Sequence, residues 1–412
     1  MGVDIIARGL AMALQPSSTI GDRPLSGRQL VDMLAPELSE SGNPIICHPV
    51  ASYPLGITAR WEPQQAGSGD PSPDNVRPFV GRNSVAVTRC AENVLEFLST
   101  NKFSNNIEIT ADSEKNITLN GTLPLNGNID IATCRLHWVP GKKYSLYAKK
   151  ISGNAYLGSG DGITFAFSLF LSDFSQFFRG STNSENFDKY IVTAPALEAT
   201  DLILMLQCWR AGTRFDNCKF QIEVFEGGTV PLEYSPYTEQ TVSLPVPDGV
   251  IGGSLDVGAG AGLQEYGLVQ LDGDKLKCTA ANDKYWNFPP QSAKNCVWTA
   301  KIPSSHFSPD FFGVNENHNM LFASIEKAAA NGFNSPDDFN AYLAAQYAAG
   351  TPVQLVYKLA TPIPFTANGA QTIRALPGTN TIFTDAARVD VTGRTDPVYI
   401  LNELQDAVAS II

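Results

Sequence analysis

Apolar residues recur at every second position along much of this chain. In residues 163–172, Ile163, Phe165, Phe167, Leu169 and Leu171 alternate with Thr164, Ala166, Ser168, Phe170 and Ser172. Successive side chains of a strand leave on opposite faces, so this period of two predicts a strand with one apolar face turned inward. CKFQIEV repeats the pattern, with Cys218, Phe220, Ile222 and Val224 set against Lys219, Gln221 and Glu223. DLILMLQCW (201–209) is apolar on both faces, which predicts a central strand covered on each side. ITARWEPQQ (57–65) and SVAVTRC (84–90) also read as strands. Between them lies an irregular connection, 66–79, carrying three Pro and two Gly.

Helical spacing is rarer. Ile6, Leu10 and Leu14 share one helical face, and Ser26 is placed to cap a helix over 27–35 ahead of Pro36. Residues 335–350 read as the clearest helix. Ser335 caps it, Pro336 takes the first position, Asp337 and Asp338 complement the dipole, and Gly350 ends it. Val353, Leu355, Tyr357 and Leu359 return to strand spacing. At the C-terminus Leu401, Leu404, Val408 and Ile411 form a seam of two heptads. That is too short to stand alone in water, so it predicts docking, either on the chain's own scaffold or on the same helix of neighbouring chains. Strands at intervals of about ten residues between 91 and 237 predict an antiparallel sandwich. The expected organisation is mainly β: a helical attachment segment (1–40), a β-rich scaffold in two parts (41–90 and 238–397, the second holding helix 335–350), the sandwich between them (91–237), and a C-terminal helix (398–412).

Composition narrows the function. With 29 Lys and Arg against 41 Asp and Glu, the net charge is −12, and no basic run offers a phosphate footprint, which argues against a nucleic-acid partner. Charged residues are only 17% of the chain, and 34 Gly and 27 Pro point to strands and turns rather than disorder. No basic leader precedes an apolar core at the start, and no apolar run is long enough to span a bilayer, so a soluble chain without membrane insertion is expected. Seven Cys is an odd number, which favours reduced thiols. Cys208 and Cys218 would face each other across a hairpin centred on Thr213, unless the intervening segment crosses between sheets.

Catalytic signatures are missing from the sequence. His48, His137, His306 and His318 have no zinc spacing, no phosphate-binding loop or G-x-S-x-G turn occurs, and Asp70 and Asp74 sit among prolines as turn-formers. No metal, cofactor or enzymatic activity is expected. For ligand binding, Trp209, Arg210, Tyr156 and Phe178 fall in or beside the loops of the sandwich. They read either as an aromatic platform for a sugar ring or as packing at strand ends.

GSGDPSPDNVRPFVGR (67–82), VTRCAENVL (87–95), LEYSPYTEQTVSLP (232–245), YKLATPIPF (357–365) and LPGTNTIFTDAARVDVTGRTDP (376–397) resemble minor structural and tail-associated proteins of tailed bacteriophages, especially those infecting Gram-positive gut bacteria. In that family an Asn-Leu phrase, here Asn93-Val94-Leu95, opens a jelly-roll module similar to carbohydrate-binding domains. A Tyr-x-Pro-Tyr phrase, here Tyr234 to Tyr237, closes it. The usual Gly-Lys-Asn-Leu opening is replaced by Ala91-Glu92-Asn93-Val94. The resemblance implies a non-enzymatic virion protein, a tail fibre or baseplate component contributing to host-surface attachment and assembled in the host bacterial cytoplasm. Its implied partners are other virion structural proteins and a host cell-surface glycan, and it favours a homotrimer through the C-terminal seam. A capsid head fibre or decoration protein and a glycan-degrading tail enzyme are the alternatives.

Overall fold

The computed structural model describes residues 19–20, 23–24, 37–125, 127–139, 141–156, 158, 165–171, 176–179, 190–193, 201–208, 210–227, 234–282, 285–289, 296–297, 299–315 and 320–396. Antiparallel strands dominate them, and helix is confined to two short stretches. No helix among the described residues is long and apolar enough to cross a membrane.

The central part of the chain is a two-layer sandwich. We number eight of its strands β1 (Ile117–Thr122), β2 (Gly127–Leu136), β3 (Lys143–Tyr156), β4 (Phe165–Leu171), β5 (Gln176–Arg179), β6 (Tyr190–Thr193), β7 (Asp201–Cys208) and β8 (Arg214–Glu226). Their pairing is nested: β1 with β8, β2 with β7, β3 with β6, and β4 with β5. Further pairing of β3 with β8 and of β4 with β7 joins them into two sheets, β1-β8-β3-β6 and β2-β7-β4-β5. The hairpin Phe103–Ser104/Ile107–Ala111 extends the first sheet beside β1, and Leu95–Thr100 extends the second beside β2. Asn105 and Asn106 at the hairpin tip both take positive φ, 48° and 64°, as a two-residue type I′ turn requires.

Strand periodicity builds the core between these sheets. Cys218, Phe220, Ile222 and Val224 of β8 face Leu202, Leu204, Leu206 and Cys208 of β7 within one buried cluster. The Phe167 and Phe220 rings meet across the layers edge to face, with centroids 5.3 Å apart. Each such side chain contributes about 1.5–3 kcal/mol by leaving water. β7 is the central strand that its two apolar faces required. β4 differs from its one-sided expectation, because Ala166, Ser168 and Phe170 are buried along with Phe167 and Leu169. Cys208 and Cys218 are free, buried thiols on different sheets, because the segment between them crosses from one layer to the other.

The scaffold is a second sandwich. A four-stranded sheet (Glu239–Pro245, Ser84–Cys90, Asn380–Thr384, Ile45–Cys47) packs on a seven-stranded sheet whose inner strands include Ala261–Leu271, Gly253–Asp256, Gly56–Trp61 and Arg388–Arg394. Val85, Val87, Leu244 and Ile382 from the first meet Ile57, Ala59, Leu255 and Val391 from the second. Cys90 and Glu239 are partners on one ladder, and the Ala91 N–H donates to the Thr238 carbonyl (3.0 Å), so the chain leaves for the central sandwich and returns at the same rung. The device recurs where Leu271 pairs with Val353. Between those two positions lies a smaller unit, a four-stranded sheet with helices α1 (Ile325–Ala330) and α2 (Pro336–Ala348) around a phenylalanine-rich core. Ser335 caps α2, its side chain accepting from the Asp338 N–H (3.1 Å).

The helical reading of 1–40 is corrected over the described residues. Thr19–Ile20 pairs with Arg23–Pro24, and Glu37–Gly42 is the outermost strand of the seven-stranded sheet, paired with Arg388–Arg394. Strand geometry there buries Leu38 in the scaffold core and satisfies the edge of its neighbour, which a helix would not do. The predicted helix 27–35, the Ile6/Leu10/Leu14 face and the seam Leu401, Leu404, Val408 and Ile411 lie outside the described residues. ITARWEPQQ is two strands, Gly56–Trp61 and Gln64–Gln65, broken at Glu62-Pro63 because proline cannot donate to a ladder.

Candidate functional site

The candidate site is the end of the central sandwich remote from the scaffold. Strand β3 runs from Tyr144, opposite Glu226 where the module joins the scaffold, to Tyr156, opposite Arg214. At about 3.3 Å per residue that is a separation of about 40 Å. Junction contacts confirm which end is near: Glu226 meets His48 of the scaffold (3.4 Å), and the His137 ring stacks on Tyr237 and meets Phe383 edge-on.

At the remote end the loops are tied together. Thr213, fully buried, donates its hydroxyl to the Arg210 carbonyl (2.8 Å) and accepts from the Gly158 N–H (3.2 Å). Gly212 N–H donates to the Leu123 carbonyl, and Leu123 N–H to that of Thr213, both at 2.8 Å. On this fixed base stand exposed apolar groups: Leu125 at 71%, Phe103 at 62% and Tyr156 at 47% exposure. The Arg214 guanidinium lies 4.4 Å from the centroid of the Tyr156 ring, a cation–π contact that holds the ring in place. Leu125, Phe103 and Tyr156 are thus large apolar side chains exposed toward one end of the module, with Arg214 against the Tyr156 ring.

The four residues singled out for binding do not form one constellation. Tyr156 and Arg210 come to the same end. Phe178 lies on edge strand β5 opposite Leu169, away from that end. The side chains of Phe178 and Trp209 lie outside the described residues. Sequence reasoning missed Phe103, Leu125 and Arg214. Ser104-Asn105-Asn106-Ile107 held the signal for Phe103, since adjacent asparagines between strand-forming residues mark a type I′ hairpin that would lift it to a tip.

Two carboxyls at the junction, Glu223 and Glu92, are perturbed. Burial pushes the Glu223 carboxyl up to about 7, and the Glu92 carboxylate adds to this against a hydrogen bond from the Ser235 N–H and the charge of Lys149. Burial also raises Glu92. Burial would raise Asp112 too, but its contacts with Lys219 (2.6 Å) and Asn116 prevail and hold it at about 2. Elsewhere the Ser305 hydroxyl and His306 Nδ1 are 2.7 Å apart, but both residues are fully buried and the hydroxyl also accepts from the Gln354 N–H (2.9 Å), so the pair holds the fold. Among the described residues no group of three His, Cys, Asp or Glu side chains is arranged to hold a metal ion.

No protein-family model and no curated protein sequence matches the chain. Solved structures give low scores. The accessory secretory protein 1, 2 and 3 structure of Streptococcus pneumoniae is 14% identical over 34% of this chain and 96% of that one, with a TM-score of 0.21. The Gap123 glycosylation-associated complex of Streptococcus agalactiae is 13% identical over 34% of this chain and 47% of that one, at 0.20. The VP2 subviral particle of infectious bursal disease virus is 10% identical over 94% of this chain and 86% of that one, at 0.13. Likeness at that level carries no weight for fold or activity.

Proposed function

We propose that this chain is a non-enzymatic structural protein of a phage virion, a tail fibre or baseplate component that contributes to host-surface attachment through the remote end of its central sandwich. The observation that carries this reading is the insertion itself. A module that leaves and returns at the Cys90–Glu239 rung is displayed as a unit, with Phe103, Leu125, Tyr156 and Arg214 about 40 Å from its root. The nested pairing of β1–β8 supports the jelly-roll reading of this module, in keeping with the carbohydrate-binding-like module that the tail-protein phrases imply. On this reading the partners are neighbouring virion proteins and a host cell-surface glycan, and Leu401, Leu404, Val408 and Ile411 join three copies.

Purified chain should bind host cells and compete with phage adsorption. A Phe103→Ser/Tyr156→Ala variant should lose most of that binding while melting at the wild-type temperature. Undiminished binding removes the remote end from the function. Immunogold label confined to the phage head would make the chain a capsid decoration instead.

A further inference from the structure

Asparagine followed by glycine is a labile pair, because no side chain on the glycine hinders its nitrogen from attacking the asparagine carboxamide. The chain holds four such pairs, beginning at Asn120, Asn126, Asn331 and Asn368. Asn126 lies outside the described residues. The other three asparagines are all exposed, yet the fold restrains them differently. Attack requires the glycine nitrogen to swing against Cγ of the asparagine, and a backbone fixed in a ladder or a cap must first open.

Asn120 lies within β1, paired with Glu108, and Gly121 is paired with Ile107 on one side and Phe215 of β8 on the other. A Cβ at Gly121 would sit 2.3 Å from the Asn106 carbonyl oxygen, so the neighbouring chain crowds that glycine. Asn331 ends α1. Its Nδ2 donates to the Lys327 carbonyl (2.8 Å), and the Gly332 N–H, the would-be nucleophile, donates to the Ala329 carbonyl (3.0 Å). Asn368 has neither restraint. It stands with Gly369 in the turn after strand Val353–Thr366, and among the described residues neither its carboxamide nor the Gly369 N–H has a hydrogen-bond partner. Gly369 takes a φ of +85°, and a Cβ there would meet nothing within 4 Å, so the space around the attacking nitrogen is open. Ala367, buried in the scaffold core, donates its N–H to the Gly260 carbonyl (2.7 Å), and Ile373 is the next residue in that core. Residues 368–372 between them are exposed.

We propose that Asn368 is a self-modifying site of the folded chain, converting to aspartate and isoaspartate while Asn120 and Asn331 persist. The Gly369 nitrogen bonds to Asn368 Cγ and gives its proton to solvent. The Cγ–Nδ2 bond breaks, and Nδ2 leaves as ammonia with a proton taken back from solvent. Water then opens the cyclic imide. Opening at the side-chain carbonyl gives aspartate, and opening at the main-chain carbonyl routes the backbone through the side chain, giving isoaspartate. Nothing is oxidised or reduced. An amide has been exchanged for an acid, which at neutral pH adds a negative charge to a chain already at −12.

The test holds purified full-length chain at mildly alkaline pH, where the attacking nitrogen loses its proton more readily, and maps its peptides over time by mass spectrometry, with isoaspartyl methyltransferase labelling to mark the isomer. Asn368 should convert first, and Asn120 and Asn331 should lag by at least about tenfold, the penalty of opening the ladder or the cap before attack. In urea-unfolded chain the three rates should converge, because the fold and not the dipeptide sets the order. Gly369→Ala, with an unchanged melt as its check on folding, should slow conversion at position 368 and leave the other two as they were. The proposal is overturned if Asn368 stays intact in the folded chain while it reacts in the unfolded one, if Asn120 or Asn331 keeps pace with it in the folded chain, or if folded Gly369→Ala converts at the wild-type rate.

Discussion

Glu223 makes the seam between sandwich and scaffold sensitive to pH. It lies on β8 at 4% exposure, beneath the returning segment whose Ser235 N–H bonds its carboxyl. Unfolded, the carboxyl titrates near 4.5; folded, burial raises it to about 7. The native state therefore binds more protons between those values. Its stabilising contribution is complete below about pH 4.5, declines as pH rises, and is exhausted above about 7. The full effect is 2.5 pH units at about 1.4 kcal/mol each, or about 3.5 kcal/mol, of which about 2.5 kcal/mol falls between pH 5 and pH 8. Glu92, also raised, tilts stability the same way, whereas Asp112, held at about 2, acts only in strong acid.

Glu223→Gln keeps an oxygen to accept from Ser235 and removes the ionisation. Urea denaturation followed by tryptophan fluorescence should find the variant close to wild type at pH 5 and more stable by about 2.5 kcal/mol at pH 8. The earliest transition should show the effect, since Glu223 fastens the return segment. A wild type whose stability is flat from pH 5 to 8, or a variant that falls in parallel with it, refutes the reasoning.

Two further outcomes follow from the packing. Phe220→Ala empties the contact with Phe167 at the centre of the sandwich and should cost about 3–5 kcal/mol, read as a lower midpoint in the same denaturation. Replacing 91–238 by Asn-Gly joins Cys90 to Glu239 through a two-residue hairpin turn, and the shortened chain should keep a β-type circular dichroism spectrum and a cooperative melt; loss of either means that the scaffold depends on its insertion.

What was legible in the sequence was local. Period two marked β4 and β8 as strands, two apolar faces marked β7 as a central one, and Ser335-Pro336-Asp337-Asp338 marked α2 because capping chemistry is spelled out within four residues. The N-terminal segment misled because the edge strand Glu37–Gly42, which places Leu38 in the scaffold core cluster, is held by a ladder to residues about 350 positions away. No window of residues encodes such a partner. α1 escaped notice for a similar reason: six residues, IEKAAA, are too few to show a period, and the buried Ala328 anchors them.

The exposed aromatics were less legible than the core, for a physical reason. Core residues must be apolar, so they announce themselves; exposed aromatics such as Phe103, Tyr156 and Tyr285 look the same in sequence as buried ones. Only pairing separates them: Tyr156 is exposed because it ends β3 at the remote end, and Tyr285 because Trp286 takes the inward face. Small residues carry the complementary information. Gly313 admits the Phe322 ring, and buried Thr213 ties three loops beneath Tyr156, yet neither belongs to a recognisable motif. Both aromatic surfaces rest on units rooted at paired rungs, Cys90–Glu239 and Leu271–Val353, so each can vary without disturbing the ladder that carries it. A scaffold of that kind separates the strands that must pair from the loops that need not, and leaves variation where packing constrains sequence least.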